Sequence, residues 1–123
     1  MAGIRPMGTD EIQRLQQAIQ KFARDRDWEQ FHTPKNLAMA MSVEAAEVVE
    51  IFQWLTDEQS KSLSQEKVAD LADELADTYI FLLKIAAHYG IDINQAATDK
   101  IRKNELKYPV EKARGNSKKY TEL

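Results

Sequence analysis

Two segments of this chain are apolar on more than one side of a helix, and they limit its fold more than any other feature. Residues 34–55 and 64–89 repeat apolar side chains every three or four positions, which is the spacing of a helical face. No stretch alternates apolar and polar residues over a useful strand length. A helix in an isolated four-helix bundle needs only one buried stripe. The additional apolar surface of these two segments predicts an all-α bundle that forms a homodimer or homotetramer, or else a monomer whose apolar face binds another protein.

The sequence predicts four helices within a single domain of 123 residues. Thr33-Pro34 provides a capping threonine followed by proline at the first helical position, and Ser64 is placed to cap a later helix. Asp92 and Gln95 form a capping-box pattern for the last helix. The helices are expected at about 9–27, 34–55, 64–89 and 93–107, followed by a polar C-terminal tail at 108–123.

Composition narrows the class of protein. The chain has no cysteine, which excludes disulfides and zinc sites built on thiolates. Residues 1–8 contain no apolar run of signal-peptide length, and no segment approaches the roughly 18 apolar residues of a membrane span. We therefore expect a soluble cytoplasmic protein without a membrane partner.

Charge is distributed unevenly along the chain. Residues 40–79 hold ten acidic side chains and two lysines, whereas residues 100–123 hold eight basic and three acidic side chains. This division suits a small polyanion held by metal on one side and by lysines on the other, or two solvated helix faces. The strong acidic region argues against a nucleic-acid partner.

Four carboxylates form two pairs with helical spacing, Glu44 with Glu47 and Glu74 with Asp77. Residues three apart share a helix face, with Cβ atoms about 5–6 Å apart. If both pairs face inward, four like charges meet in one small volume and need cations to balance them. Oxygen ligands of this kind suit Mg²⁺, with Mn²⁺ as the alternative.

Acidic residues at these positions have two other interpretations, buried ion pairs and a di-iron site. Buried carboxylates can pair with lysine or arginine, but the predicted helices offer few such partners: Lys61 and Lys67 lie before or at the start of the third helix, and Lys84 lies nearly two turns beyond Asp77. Di-iron bundles require two Glu-x-x-His motifs. The chain has only one, Glu29 to His32, directly before Thr33-Pro34 and therefore expected in a loop.

At these residues the chain resembles the MazG-like all-α nucleotide pyrophosphohydrolases, whose signature is E-x-x-E followed by E-x-x-D. Here the signature reads Glu44-Ala-Ala-Glu47 and Glu74-Leu-Ala-Asp77. Further segments look like the dCTP pyrophosphatase branch, so that the likeness runs from about residue 22 to the C-terminus. They are Arg26-Asp27-Trp28-Glu29-Gln30-Phe31-His32, Pro34 with Asn36-Leu37, Gln53-Trp54, Lys100 with Asn104, Tyr108-Pro109-Val110, and Arg114-Gly115 leading to Lys119-Tyr120-Thr121.

The resemblance implies Mg²⁺-dependent hydrolysis of a nucleoside triphosphate between its α- and β-phosphates. The four acids would bind the metal, and Glu47 is our choice for the residue that takes the proton from water. Trp28 and Trp54 would bind the base, because aromatic faces stack on nucleobases. Such stacking discriminates little between bases. The other expected substrate-binding residues are His32 at the base or sugar, Phe81 against the deoxyribose, and Lys100 and Asn104 at the phosphates.

The resemblance leaves the base preference open at one position. Relatives in this branch can place a histidine in the first helix, facing the base, where this chain has Ile19. The leading hypothesis is hydrolysis of dCTP or a modified dCTP in nucleotide-pool cleansing. The alternatives are a dUTP- or broad-specificity pyrophosphatase of the same fold, and a helical interaction module without enzymatic activity.

Overall fold

We describe the fold from a computed structural model, which covers residues 9–123; residues 1–8, where the sequence lacks a signal-peptide pattern, lie outside the described part. Six α-helices occur among the described residues, and no strand does. They are α1 (Thr9–Asp25), α2 (Pro34–Phe52), α3 (Asp57–Ser60), α4 (Gln65–His88), α5 (Ile93–Lys107) and α6 (Val110–Ala113), with short 3₁₀ helices at Glu29–Phe31 and Tyr120–Glu122. The all-α prediction is therefore confirmed.

The helix starts follow from local capping chemistry. The hydroxyl of Thr33 accepts a hydrogen bond from the Asn36 amide at 3.2 Å, with Pro34 at the first position of α2. Ser64 caps α4 in the same way, through the amide of Lys67 at 3.2 Å. Residues 57–60, for which the sequence analysis gave no helix, form α3 after a complete capping box between Thr56 and Gln59.

The chain divides into two compact units, Met1–Gly90 and Ile91–Leu123. In the first unit, α4 makes its most extensive contact with α2 and also contacts α1. Leu83 on α4 is 0% exposed, and it lies in a small core of buried apolar residues that also contains Ile12, Ile19, Ala23, Leu37 and Ala86. Gln16 links α1 to α4 by donating to the carbonyl of Leu83 at 3.3 Å. The C-terminal half of α4 therefore contributes the buried part of its contact with the other helices.

The second unit consists of α5, α6 and the C-terminal 3₁₀ helix. Asp92 caps α5 by accepting from the amide of Gln95 at 3.1 Å, whereas the Gln95 side chain turns to Asp99 at 3.0 Å. Only half of the predicted capping box is therefore formed. Tyr108 and Tyr120 pack edge to face, with ring centroids 6.1 Å apart, and this contact ties the C-terminal turn to the end of α5.

None of the helices between residues 9 and 123 combines the length and the apolar character needed to cross a membrane.

Candidate metal centre

Glu44 and Glu47 lie on α2, and Glu74 and Asp77 lie on α4, the two helices that make the most extensive contact in the first unit. Because each pair is spaced by three residues, packing one helix face on the other brings both pairs together. One carboxylate oxygen from each of Glu44, Glu74 and Asp77 lies within 4.8 Å of the other two. Small rotations of these side chains would bring all three oxygens within the roughly 2.0–2.6 Å at which Mg²⁺ or Ca²⁺ binds carboxylates.

Two oxygens of this cluster lack the partners that buried polar atoms normally have. Oε2 of Glu44 and Oε2 of Glu74 are buried, and neither has a hydrogen-bond partner. Leaving a buried acceptor unpaired costs roughly 1–3 kcal/mol, and more when the group is charged. A cation would satisfy both oxygens, so the donor set of the cluster fits a hard divalent metal.

The carboxylates also perturb one another's ionisation. The adjacent Glu47 carboxyl, together with burial and Glu44, raises the pKa of Glu74 to about 7. Burial, and then Glu47, raises the pKa of Glu44 as well. Like charges held together at this distance resist full ionisation unless a cation neutralises them. The electrostatics of the cluster therefore agree with its geometry.

Glu47 is placed differently from the other three acids. It lies beside Glu74, and these two residues line a polar surface cavity of about 430 Å³ together with Glu50, Ile51, Lys67, Asp70 and Asp73. Its oxygens are not part of the group that lies within 4.8 Å. Glu47 is therefore a neighbour of the trio and not one of its members.

A second cavity of about 430 Å³ is lined in part by Asp77, and its walls are largely apolar. Its lining comes from α1, α4 and the connection between α1 and α2, and comprises Ala18, Ile19, Phe22, Ala23, Trp28, His32, Asp77, Ile80, Phe81 and Lys84. We call this space the aromatic cavity. Its volume falls within the roughly 300–1,000 Å³ of small-molecule sites, and Asp77 belongs to both the cavity and the acidic cluster.

The position of Trp28 follows from the way α1 ends. Asp27 takes a left-handed conformation with φ 55°, and the amide of Trp28 donates back to the carbonyl of Ala23 at 2.9 Å. The amide of Asp27 bonds the carbonyl of Arg24 at 3.1 Å, which completes a Schellman motif. The motif returns the chain onto α1 and places the Trp28 ring edge to face on Phe22, with centroids 5.7 Å apart. The backbone hydrogen bonds of this motif therefore fix the aromatic wall of the cavity, which consists of Phe22 and Trp28.

His32 stands beside this wall. Its ring packs edge to face with Trp28 at 6.4 Å, and its Nδ1 is buried without a hydrogen-bond partner. Burial, followed by the positive charge of Lys84, lowers the pKa of His32, so the imidazole is neutral near pH 7. His32 therefore places an unpaired polar atom beneath an otherwise apolar surface.

The structure places the remaining expected residues separately. Phe81 lines the aromatic cavity one turn beyond Asp77, whereas Trp54 lies in the turn after α2 with 87% of its surface exposed. Lys100 and Asn104 lie on α5, in the second unit, where both are exposed. The sequence analysis considered Lys84 only as an ion-pair partner and missed its place in the cavity. Its spacing of three from Phe81 and seven from Asp77 was the available signal.

The fold and the site together define a class: all-helical proteins with an acidic centre that could hold a divalent metal, formed where two helices pack. Residues 39–123 match the MazG-like family. The chain belongs to that family, and the resemblance drawn from its sequence motifs is confirmed.

Curated relatives extend over most of the chain. It is 41% identical to bovine dCTP pyrophosphatase 1 and 41% identical to the human protein of the same name, in each case over 116 residues and 93% of the chain. These matches span 67% and 66% of the two relatives. A pyrophosphatase from Archaeoglobus fulgidus, known from a crystal structure, is 33% identical with a TM-score of 0.76, and the match covers 87% of this chain and 99% of that one.

Proposed function

We propose that this chain is a Mg²⁺-dependent nucleoside triphosphate pyrophosphohydrolase that cleaves dCTP, or a modified dCTP, to the monophosphate and pyrophosphate in nucleotide-pool cleansing. The observation that carries the proposal is the meeting of Glu44, Glu74 and Asp77 within 4.8 Å at the edge of the aromatic cavity. A triphosphate ligand needs cations at one end and an apolar, aromatic surface at the other. The relatives named dCTP pyrophosphatase 1 support both the reaction and the base.

The metal in this proposal is Mg²⁺, with Mn²⁺ as its substitute. All the donors are carboxylate oxygens, a set that suits hard cations. Glu44, Glu74 and Asp77 would hold it, with Glu47 adjoining them. When bound, Mg²⁺ supplies positive charge that offsets the phosphate oxygens and makes water more acidic.

Glu47 is the proposed proton acceptor. The reaction forms a bond from a water oxygen to the α-phosphorus and breaks the bond to the oxygen that bridges to the β-phosphorus. The water must lose a proton, and pyrophosphate leaves. Glu47 lies outside the trio but next to Glu74, so it remains free to accept that proton.

The nucleoside would occupy the aromatic cavity. Trp28 is 44% exposed, which leaves part of its ring available to stack on a base, and Phe81 offers an apolar wall to the deoxyribose. His32 lines the same cavity and is the proposed polar contact for the base or the sugar. The roles of Trp54 at the base and of Lys100 and Asn104 at the phosphates rest on the family resemblance alone.

We also propose that the chain forms a homodimer or homotetramer. Besides the faces that pack together, α2 exposes Met39, Val43 and Val49, each more than half accessible, and α4 exposes Val68 and Leu75 to a similar extent. Met39 and Val43, which are four residues apart, share one helix face. Exposed apolar side chains of this kind are typical of protein–protein interfaces. Sedimentation equilibrium tests the proposal: masses of two or four chains support it, and a monomer at micromolar concentration overturns it.

Pyrophosphate release from a panel of dNTPs and NTPs, measured with Mg²⁺ and with EDTA, tests the function. Metal-dependent cleavage that favours dCTP supports the whole proposal. Cleavage that favours dUTP, or that is equal across bases, replaces the substrate and keeps the metal centre. Absence of cleavage for every triphosphate overturns the enzymatic proposal and favours an interaction module.

A further inference from the structure

His32 and Lys84 are polar side chains at the end of the aromatic cavity that is farther from the carboxylates. A second space of about 430 Å³ adjoins it there, and we call this the outer cavity. Ile19, His32 and Lys84 line both spaces. Leu83, Ala87 and His88 of α4 line only the outer cavity, whereas Asp77, Ile80 and Phe81 line only the aromatic cavity. The two cavities therefore follow one another along α4, and Lys84 marks their boundary.

The length of this path matches a nucleoside. Lys84 follows Asp77 by seven residues, so the two Cα atoms are separated by about 10 Å along the helix axis. A nucleotide whose phosphates lie near Asp77 and whose base points along α4 would bring the Watson–Crick edge of the base to Lys84. Ile80 and Phe81 would line the sugar between them.

Lys84 is available for such a contact. It is partly buried, and among residues 9–123 its ammonium makes no hydrogen bond or ion pair. Burial lowers the pKa of Lys84, while the negative charge of Glu29 opposes that change. An ammonium carries three donors and no acceptor, and a desolvated donor without an acceptor is costly. An acceptor on a ligand would remove that cost.

Glu29 supplies the opposite chemistry a little farther out. It begins the 3₁₀ helix between α1 and α2 and lines the outer cavity but not the aromatic one. Its carboxylate acts electrostatically on both Lys84 and His32. Seen from the carboxylate cluster, the order is therefore a donor at Lys84 and then an acceptor at Glu29.

We propose that Lys84 and Glu29 determine the base specificity of this site, with Lys84 donating to the N3 or O2 acceptor of a cytosine and Glu29 accepting from its 4-amino group. The inference rests on the proposed function, from which it takes the position of the phosphates. Position 4 is the part of a pyrimidine ring farthest from the sugar, so it meets the outer residue. Carboxylates are established acceptors for the cytosine amino group.

The same pair rejects uracil and thymine. These bases present a carbonyl at position 4, which would face the Glu29 carboxylate. They also present an N–H at position 3, which would face the Lys84 ammonium where that ammonium contacts N3, whereas O2 is common to all three bases and gives no discrimination. Sites built from fixed polar groups discriminate strongly, because the wrong base leaves those groups unpaired. Stacking on Trp28 cannot supply this selectivity.

Steady-state kinetics of Lys84→Met and Glu29→Gln, with dCTP and dUTP in the presence of Mg²⁺, test the proposal. Lys21→Met is the matched control, because Lys21 lies on the exposed side of α1 in an ion pair with Asp25. Lys84→Met should raise KM for dCTP about 10- to 100-fold with kcat little changed, as expected for loss of a charged hydrogen bond. Glu29→Gln should reduce the preference for dCTP over dUTP. A KM for dCTP in Lys84→Met equal to that of Lys21→Met would overturn the inference.

Two further measurements distinguish failure of this inference from failure of the proposed function. With the unaltered protein, a 2-pyrimidinone deoxynucleoside triphosphate, which is dCTP without its amino group, should show a KM at least about tenfold higher than dCTP; an equal KM removes Glu29 from the proposal. Binding of dCMP, measured by calorimetry, requires no hydrolysis. If the unaltered protein releases no pyrophosphate, the proposed function fails, and an equal dCMP affinity in Lys84→Met and the unaltered protein then rejects the inference separately.

Discussion

Metal binding to the carboxylate cluster should be strongly coupled to pH. The neighbouring acids and burial raise the pKa of Glu74 to about 7, from an ordinary value of 4.5, and raise the pKa of Glu44 as well. A divalent cation requires the ionised form of its ligands. Below pH 7, each cation that binds must therefore displace protons from the cluster.

The magnitude follows from the pKa of Glu74. With a value of about 7, roughly nine-tenths of the Glu74 carboxyls are ionised at pH 8 and roughly 3% at pH 5.5. The apparent affinity for Mg²⁺ or Mn²⁺ should thus fall about 30-fold over that range from Glu74 alone. The raised pKa of Glu44 makes the decline steeper.

Titration calorimetry with Mn²⁺ at pH 5.5, 7 and 8 measures this decline. Repeating each titration in two buffers of different ionisation enthalpy counts the protons released. Glu74→Gln should lose most of its metal affinity at every pH, whereas Glu66→Gln, in the exposed first turn of α4, should behave as the unaltered protein. An affinity that stays constant from pH 5.5 to 8, with no proton release, would refute the reasoning.

The raised pKa of Glu74 also makes the stability of the metal-free protein depend on pH. The carboxyl of Glu74 ionises near 4.5 in the unfolded chain and near 7 in the folded one. Its contribution to stability is therefore fully present below pH 4.5 and is lost as the pH rises through about 7. Thermal melting in EDTA should show this loss, and Mg²⁺ should reverse it at pH 8. A metal-free melting temperature that rises between pH 5.5 and 8 would contradict the assignment.

Three further substitutions give distinct expected results. Glu47→Gln should reduce kcat for dCTP at least about 100-fold in the pyrophosphate assay while leaving the circular dichroism spectrum unchanged, because the water loses its proton acceptor. Leu83→Ala should lower the free energy of unfolding by about 2–5 kcal/mol in urea, because Leu83 is 0% exposed. Trp28→Ala should raise KM for dCTP about tenfold through lost stacking, measured by steady-state kinetics.

Matched controls separate these effects from general damage. Glu66→Gln removes an acid of the same type on the exposed first turn of α4 and should retain full activity. Leu106→Ala removes a leucine that is 83% exposed and should change the free energy of unfolding by less than about 0.5 kcal/mol. Normal turnover in Glu47→Gln would remove that residue from the reaction, and a Leu83→Ala cost as small as that of Leu106→Ala would contradict the position of the core.

The parts of the fold that local chemistry determines could be predicted from the sequence. Thr33-Pro34 and Ser64 begin their helices as expected because a capping hydroxyl and a proline act within one helical turn. The capping box of Thr56 and Gln59 could equally be recognised from the sequence, although the sequence analysis gave no helix there. Local signals of this kind do not depend on the rest of the fold.

The arrangement of the site required the tertiary structure. Spacing alone places Glu74 and Asp77 on one helix face, but only the packing of α2 on α4 brings Glu44 to them. Trp28 and Trp54 look alike as sequence signals, yet the Schellman motif at Asp27 fixes the first against α1, whereas the second is 87% exposed. Such differences depend on contacts between residues that are distant in the sequence.

The role of Lys84 illustrates the same limit. In the sequence it is one lysine near the end of an apolar helix, distinguished only by its helical spacing from Phe81 and Asp77. Its importance depends on α1 and on the connection before α2, which place Ile19 and His32 beside it and Glu29 nearby. Neither segment is close to Lys84 in the sequence.

The central claim is metal-dependent hydrolysis of dCTP between its α- and β-phosphates, and ³¹P NMR of the reaction tests it most directly. The protein is incubated with dCTP and Mg²⁺, and in parallel with dCTP and EDTA. We expect dCMP and pyrophosphate with Mg²⁺ and unchanged dCTP with EDTA. Formation of dCDP and orthophosphate, cleavage that persists in EDTA, or no cleavage at all would contradict the account.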